Sequence, residues 1–156
     1  MPSVRLAQPP DATVVTRLMC AFRDHLQLSG PTDAEMAEGV GRLLGDADTE
    51  FVLAAPEDGA DPAGVAQLRF RYGVWRAGGD CLLEDLFVDA SARGAGLGRA
   101  LIDATLDRAR ARGCRRVELD VNEANDAAIR LYESAGFSAT ANAYGARDLY
   151  MRLHVD

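Results

Sequence analysis

The stretch from Leu83 to Gly98, LEDLFVDASARGAGLG, constrains this chain more than any other. An apolar strand runs into a short polar turn and then into a loop with glycine at Gly94, Gly96 and Gly98. An amphipathic helix follows without a gap. The first N–H groups of a helix have no partner within it, and the macrodipole adds partial positive charge there. Glycine has no Cβ, so an anionic group can approach the backbone closely. The segment therefore predicts a phosphate site. A Walker loop is excluded, because Gly98 is followed by Arg99 and Ala100 rather than by Lys and Ser/Thr. A dinucleotide fingerprint, G-x-G-x-x-G, fails because the third glycine position falls on Arg99 or Leu101. Glu84 and Asp85 in the preceding strand are also unlike a fully buried first Rossmann strand.

The rest of the chain narrows the class. A length of 156 residues, 48% of them hydrophobic, suits one domain over residues 1–156 with a real core. No apolar run reaches the roughly 18 residues of a membrane helix, and the N-terminus lacks the apolar core of a signal peptide. Cys20, Cys81 and Cys114 are scattered and lack C-x-x-C spacing. They read as small buried residues of a reducing, cytoplasmic compartment. His25 and His154 stand alone, so no metal site is expected. A net charge of −7 argues against nucleic acid and is compatible with a cationic ligand.

Periodicity sets the order of elements. Val4 and Leu6 alternate in a first strand. Asp11 is expected to cap a helix that runs to about Leu28 with Val14, Val15, Leu18, Phe22 and Leu26 on one face. Thr32 to Glu35 is a capping-box pattern opening a second helix, with Met36, Val40, Leu43 and Leu44 inward. Phe51–Ala55 and Ala66–Tyr72 read as a hairpin, and Gly73–Asp80 as a loop in which Trp75 is an anchor or a substrate wall. Cys81–Val88 is the central strand. The helix after the loop turns Leu97, Leu101, Ile102, Leu106 and Ala109 inward, with Arg108, Arg110 and Arg112 as a solvated face near its end. Val117, Leu119 and Val121 alternate in a further strand, Asn125 caps a helix ended by Gly136, and two strands, 137–142 and 147–153, close the chain.

Two motifs resemble a known family. Arg93-Gly94-Ala95-Gly96-Leu97-Gly98 matches the R/Q-x-x-G-x-G/A loop of the GCN5-related N-acetyltransferases (GNAT superfamily). The segment from Asn125 to Phe137 resembles that family's N-x-x-A-x-x-L-Y-x-x-x-G-F motif. The likeness is close from 83 to 137 and loose elsewhere. The strand Leu83-Glu84-Asp85-Leu86-Phe87-Val88 is nearest the spermidine/spermine and thialysine acetyltransferase branch. The resemblance implies an α/β fold. Its order is β-α-α-β-β-β-α-β-α-β-β, with a mixed, mostly antiparallel twisted sheet of about seven strands and helices on both faces.

The resemblance also implies the chemistry: acetyl transfer from acetyl-CoA, a co-substrate, to a primary amine of a small cationic acceptor. The amine titrates near 10 and must be neutral to attack, so a base is needed. Glu84 and Asp85 are the candidates beside the amine. Adjacent strand residues face opposite ways, so one of them reaches the cleft unless a bulge intervenes; Glu84 is the choice, the alternative for it being a carboxylate paired with an arginine such as Arg69 or Arg71. Asp120 is a weaker candidate for binding a cationic acceptor. Tyr132, two helical turns after Asn125, is the acid for the leaving thiolate. The backbone of Leu86, Phe87 and Val88 would pair with the pantetheine arm, and Gly94 to Arg99, with Arg93, would hold the pyrophosphate. Asn125 and Ala128 would complete the coenzyme contacts. A protein acceptor, or a non-catalytic acyl-CoA-binding module, is the alternative. No metal, nucleic acid or membrane is expected, and a homodimer is compatible with the branch.

Overall fold

The computed structural model describes residues 1–139 and 145–156. The chain divides into two compact units, Met1–Leu119 and Asp120–Asp156.

The first unit is built on a five-stranded sheet in the order β1-β2-β3-β4-β5. The strands are β1 (Ser3–Leu6), β2 (Thr49–Ala55), β3 (Gly64–Gly73), β4 (Gly78–Val88) and β5 (Cys114–Glu118). The first four pair antiparallel, and β4 pairs parallel with β5. Alternation splits the sheet's side chains between two cores. On one face Phe51, Leu53, Val65 and Phe87 pack with Val15 and Leu18 of α1 (Ala12–His25) and Val40 of α2 (Asp33–Leu44). The opposite positions Val52, Ala54, Ala66 and Leu68 are buried with Leu97, Leu101, Ile102 and Ala109 of α3 (Leu97–Ala111). Thr105, also fully buried on α3, returns its hydroxyl to the carbonyl of Leu101 at 2.8 Å, which removes the cost of burying it.

Local sequence explains most of the boundaries. Thr32 and Glu35 form the expected reciprocal box at the start of α2. Gly113, at φ +72°, ends α3. Asp11 does not cap α1. Its carboxylate takes the N–H of Gln8 and both terminal nitrogens of Arg5, so it closes the preceding turn instead. That guanidinium and that N–H together hold the Asp11 carboxyl down to about 2. Of the arginines at the end of α3, Arg110 is solvated as expected, paired with exposed Asp107 at 3.1 Å, whereas Arg108 and the C-cap Arg112 are not. Arg108 grips Glu50 with bonds of 2.8 and 2.6 Å, and Arg112 reaches Glu50 at 3.3 Å and stacks 4.0 Å above the Phe70 ring. Burial pushes the Glu50 carboxyl up, but its two arginines outweigh that and hold it below its usual range. Trp75 anchors nothing: it is 97% exposed at the tip of the β3–β4 hairpin.

Among its described residues the second unit carries one helix, α4 (Asp126–Ser134). Its C-terminus follows a specific hydrogen-bond pattern. The Gly136 N–H reaches the carbonyl of Glu133, and the Phe137 N–H reaches that of Tyr132. This is a Schellman end, with glycine in the left-handed conformation at φ +99°. The Phe137 ring meets the edge of Tyr132, 6.0 Å between centroids, which is the apolar contact such an end favours.

Of the two closing strands expected, one is corrected. The 147–153 segment forms no ladder with any described residue, and Leu149, Met151 and Leu153 are exposed. Part of the 137–142 strand lies outside the described residues. The period-two pattern is present in the sequence, but alternation sorts side chains only once a neighbouring strand exists to pair with.

Candidate active site

The site is organised by β4. Its pairing with β5 ends at Leu82 and Glu118, whereas β4 itself continues to Val88. From Leu83 onward, then, β4 extends beyond the parallel ladder. On its other edge it stays paired with β3 as far as Val88 and Gly64.

That β3–β4 ladder contains a bulge. Gln67 pairs with Asp85 and Leu68 with Leu83, so Glu84 is an extra residue. The sequence held a signal for it. Leu83 and Leu86 share a sheet face, opposite Leu68 and Ala66, although they are three residues apart where a regular strand needs two. The bulge resolves the alternation problem at Glu84 and Asp85. Glu84 turns to the side of Gln67 and Arg69, accepting from Gln67 Nε2 at 2.9 Å and from Arg69 Nη1 at 3.4 Å, both on Oε2. Arg69 and Glu84 are each about two-fifths exposed. A cleft of about 430 Å³ opens there, lined by Asp46, Asp48, Arg69, Arg71, Leu82 and Glu84 among others. Gln67, which alternation alone places on a half-exposed strand, is buried.

After β4, Asp89 caps a short turn through the Ser91 N–H, and the chain enters the glycine loop. Arg93 turns back, its Nε donating to the Val88 carbonyl at 3.2 Å and its Nη2 lying 3.5 Å from His25 Nδ1. It braces the join between strand and loop. Gly94 and Gly96 have φ of +82° and +84°, a region that disfavours side chains. A Cβ on Gly94 would meet nothing within 4 Å, and one on Gly96 only Pro2 Cγ at 3.7 Å. The α3 ladder begins with the Ala100 N–H on the Gly96 carbonyl, so the N–H groups of Leu97, Gly98 and Arg99 precede it. A glycine loop with open space before a helix N-terminus fits a pyrophosphate. Phe87 contributes a side chain to the core, stacked on Phe22 at 5.1 Å, so only its backbone is available to a ligand.

Asp120, Asn125, Ala128 and Tyr132 belong to the second unit. Asn125 Oδ1 accepts from the Ala128 N–H at 3.2 Å and caps α4. Burial, with the negative charge of Asp120 second, pushes the Tyr132 phenol above its ordinary value of 10. A phenol so placed keeps its proton through the neutral range and can donate it. The cysteines are free, and burial pushes the Cys81 thiol up to about 12, which makes it inert. Among the described residues no helix is long and apolar enough to cross a membrane, and no cluster of His, Cys, Asp and Glu could hold a metal.

Comparison with known proteins agrees with this geometry. The family model described as "Acetyltransferase (GNAT) family" matches residues 16–137. The thialysine N-epsilon-acetyltransferase of Bos taurus is 28% identical over 151 residues, covering 91% of this chain and 87% of that protein. The mycothiol acetyltransferase of Thermobispora bispora is 59% identical over 51 residues, but the match spans 33% of this chain and only 17% of that protein. A crystal structure of a protein from Arthrobacter sp. FB24, designated an acetyltransferase, superposes with a TM-score of 0.86 at 31% identity, covering 98% of this chain and 96% of that one. An aminoglycoside acetyltransferase from an uncultured soil metagenomic sample, crystallised with sisomicin, shares the fold at a TM-score of 0.77 and 18% identity. With the family model matching most of its length and a five-stranded mixed sheet feeding the glycine loop, this chain belongs to the GNAT family of acetyltransferases and is an N-acetyltransferase.

Proposed function

We propose that this enzyme transfers acetyl from acetyl-CoA to a primary amine of a small cationic acceptor, of the polyamine, lysine-like or amine-antibiotic class. The observation that carries the reading is the bulge that turns the Glu84 carboxylate, about two-fifths exposed, toward a cleft of the first unit. The likeness to a thialysine acetyltransferase over most of the chain supports an amine acceptor of this size.

The coenzyme's residues are assigned as follows. The N–H groups from Gly94 to Arg99 hold the pyrophosphate, with Arg93 bracing the loop. The backbone of Leu86 to Val88 pairs with the pantetheine amides along the edge that β4 presents beyond its ladder with β5. Asn125 and Ala128 add further contacts. When bound, the coenzyme supplies the activated acetyl thioester.

The protein's own groups then move protons. Glu84 binds the incoming ammonium and accepts its proton, directly or through one water, so that the neutral nitrogen attacks the thioester carbonyl. The new C–N bond forms as the C–S bond breaks. The leaving thiolate takes its proton from Tyr132. A thiol titrates near 8.5, so transfer from a phenol raised above 10 is uphill by itself, and it is completed when the proton shed by the nitrogen on forming the amide returns to the phenolate. Asp85 and Asp120 add negative potential that favours a cationic acceptor.

The test is release of free CoA thiol from acetyl-CoA against polyamines, basic amino acids, aminoglycosides and short peptides. Turnover with a compact cationic amine, lost in Glu84→Gln, is the expected outcome. Turnover only with peptides would replace the small acceptor by a protein one. Tight acetyl-CoA binding with no turnover on any acceptor would make the protein an acyl-CoA-binding module.

A further inference from the structure

Gln67 occupies a position where the alternation of β3 favours a hydrocarbon side chain. It follows Val65 on the face that packs against α1 and is 5% exposed. Burying a primary amide costs free energy unless its hydrogen-bonding groups are met, and an apolar side chain of equal size carries no such cost. The Gln67 amide donates Nε2 to Glu84 Oε2 at 2.9 Å. A buried polar group is thus committed to the exposed carboxylate of the bulge.

The bulge explains why that carboxylate needs holding. Glu84 is the residue the ladder skips, so no pairing across the strand fixes its direction. A free glutamate side chain also samples several rotamers, and that freedom opposes a fixed carboxylate. Two donors reach Oε2, and they differ in charge. Arg69, at 3.4 Å, is a cation and offsets the negative charge that an ammonium would seek. Gln67, at 2.9 Å, is neutral and leaves that charge intact. The shorter and more deeply buried bond is the neutral one.

We infer that Gln67 is a positioning residue for acetyl transfer. Its amide pins Oε2 of Glu84 without itself drawing on the carboxylate charge, so that Oε1 faces the acceptor nitrogen. The inference rests on the assignment of Glu84 to the amine.

The experiment is a double-mutant cycle on the full chain, with Gln67→Met, Glu84→Gln and the pair. Met nearly matches the length of Gln and removes the donor. Gln67→Met should lower kcat/KM for the amine by roughly tenfold, the worth of one hydrogen bond to a charged group. The KM for acetyl-CoA should not change. In the Glu84→Gln background the same substitution should change kcat/KM by less than about twofold, because the partner it acts through is gone. Equal factors in both backgrounds would overturn the inference while leaving Glu84 in its role. If Glu84→Gln were fully active, the underlying assignment would fall, and the inference with it. Gln67→Leu serves as the second variant if the Met form does not fold, and full activity in whichever variant folds would also overturn the proposal.

Discussion

The two ends of β4 do different work. Gly79 to Leu82 lies between two neighbours, paired with β3 on one side and β5 on the other. There Cys81 is fully buried, and Asp80, 3% exposed, takes Arg116 Nη2 at 2.9 Å. Leu83 to Val88 has left the β5 ladder, and there the carboxylate is exposed and the ladder with β3 is interrupted. One strand therefore carries a closed half that fixes the frame and an open half that presents main-chain and carboxylate groups. The comparison teaches that removing an acidic residue has opposite consequences in the two halves.

The sharpest way to break this comparison is to remove one carboxylate from each half. Glu84→Gln should cut kcat/KM for the amine by roughly 10²–10³ while leaving thermal stability within experimental error, as expected for loss of a proton acceptor. Steady-state kinetics beside a melting curve would check both parts. Asp80→Ala should do the reverse. It leaves Arg116, one-third exposed, without its buried partner and should cost about 2–3 kcal/mol in a urea titration, with the KM for acetyl-CoA unchanged.

Smaller effects sharpen the contrast between chemistry and binding. Tyr132→Phe should slow turnover by roughly 30-fold with unchanged acetyl-CoA affinity, the scale of one general-acid contribution. Because the phenol is raised, the donor is protonated across the neutral range and its loss should appear only as an alkaline limb above pH 10, absent in the variant. Gly96→Val should weaken acetyl-CoA binding by about tenfold and cost about 1 kcal/mol of stability, since its φ of +84° disfavours any side chain. Isothermal titration against acetyl-CoA would measure the first. Trp75→Ala, at the far tip beyond the closed half, should change stability by less than about 0.5 kcal/mol.

Much of this was legible in the sequence, and the exceptions have physical causes. Helices and strands up to Glu118 follow from periodicity and caps, because those signals are local. Arg108 and Arg112 were misread because a dipole argument is local too, whereas Glu50 reaches them from β2. Asp11 was misread because Arg5 and the Gln8 N–H compete for its carboxylate. The loop glycines and the Tyr132–Phe137 motif were visible as chemistry, yet part of the second motif is explained by the Schellman end of α4 alone. Gln67 was invisible as a partner of Glu84, because the phase slip from Leu83 to Leu86 has to be recognised before the two side chains meet.

The bulge has an evolutionary corollary. Leu83 already pairs with Leu68 and Asp85 with Gln67, so a chain lacking residue 84 would have an unbroken ladder and every later residue in its present register. A single-codon deletion would thus erase the carboxylate proposed to receive the amine without changing the register that leads into the glycine loop. The expected product is a folded protein that binds acetyl-CoA and does not acetylate. Calorimetry on that shortened chain would show undiminished coenzyme binding, and by this one step a lineage of catalysts could give rise to acyl-CoA-binding proteins.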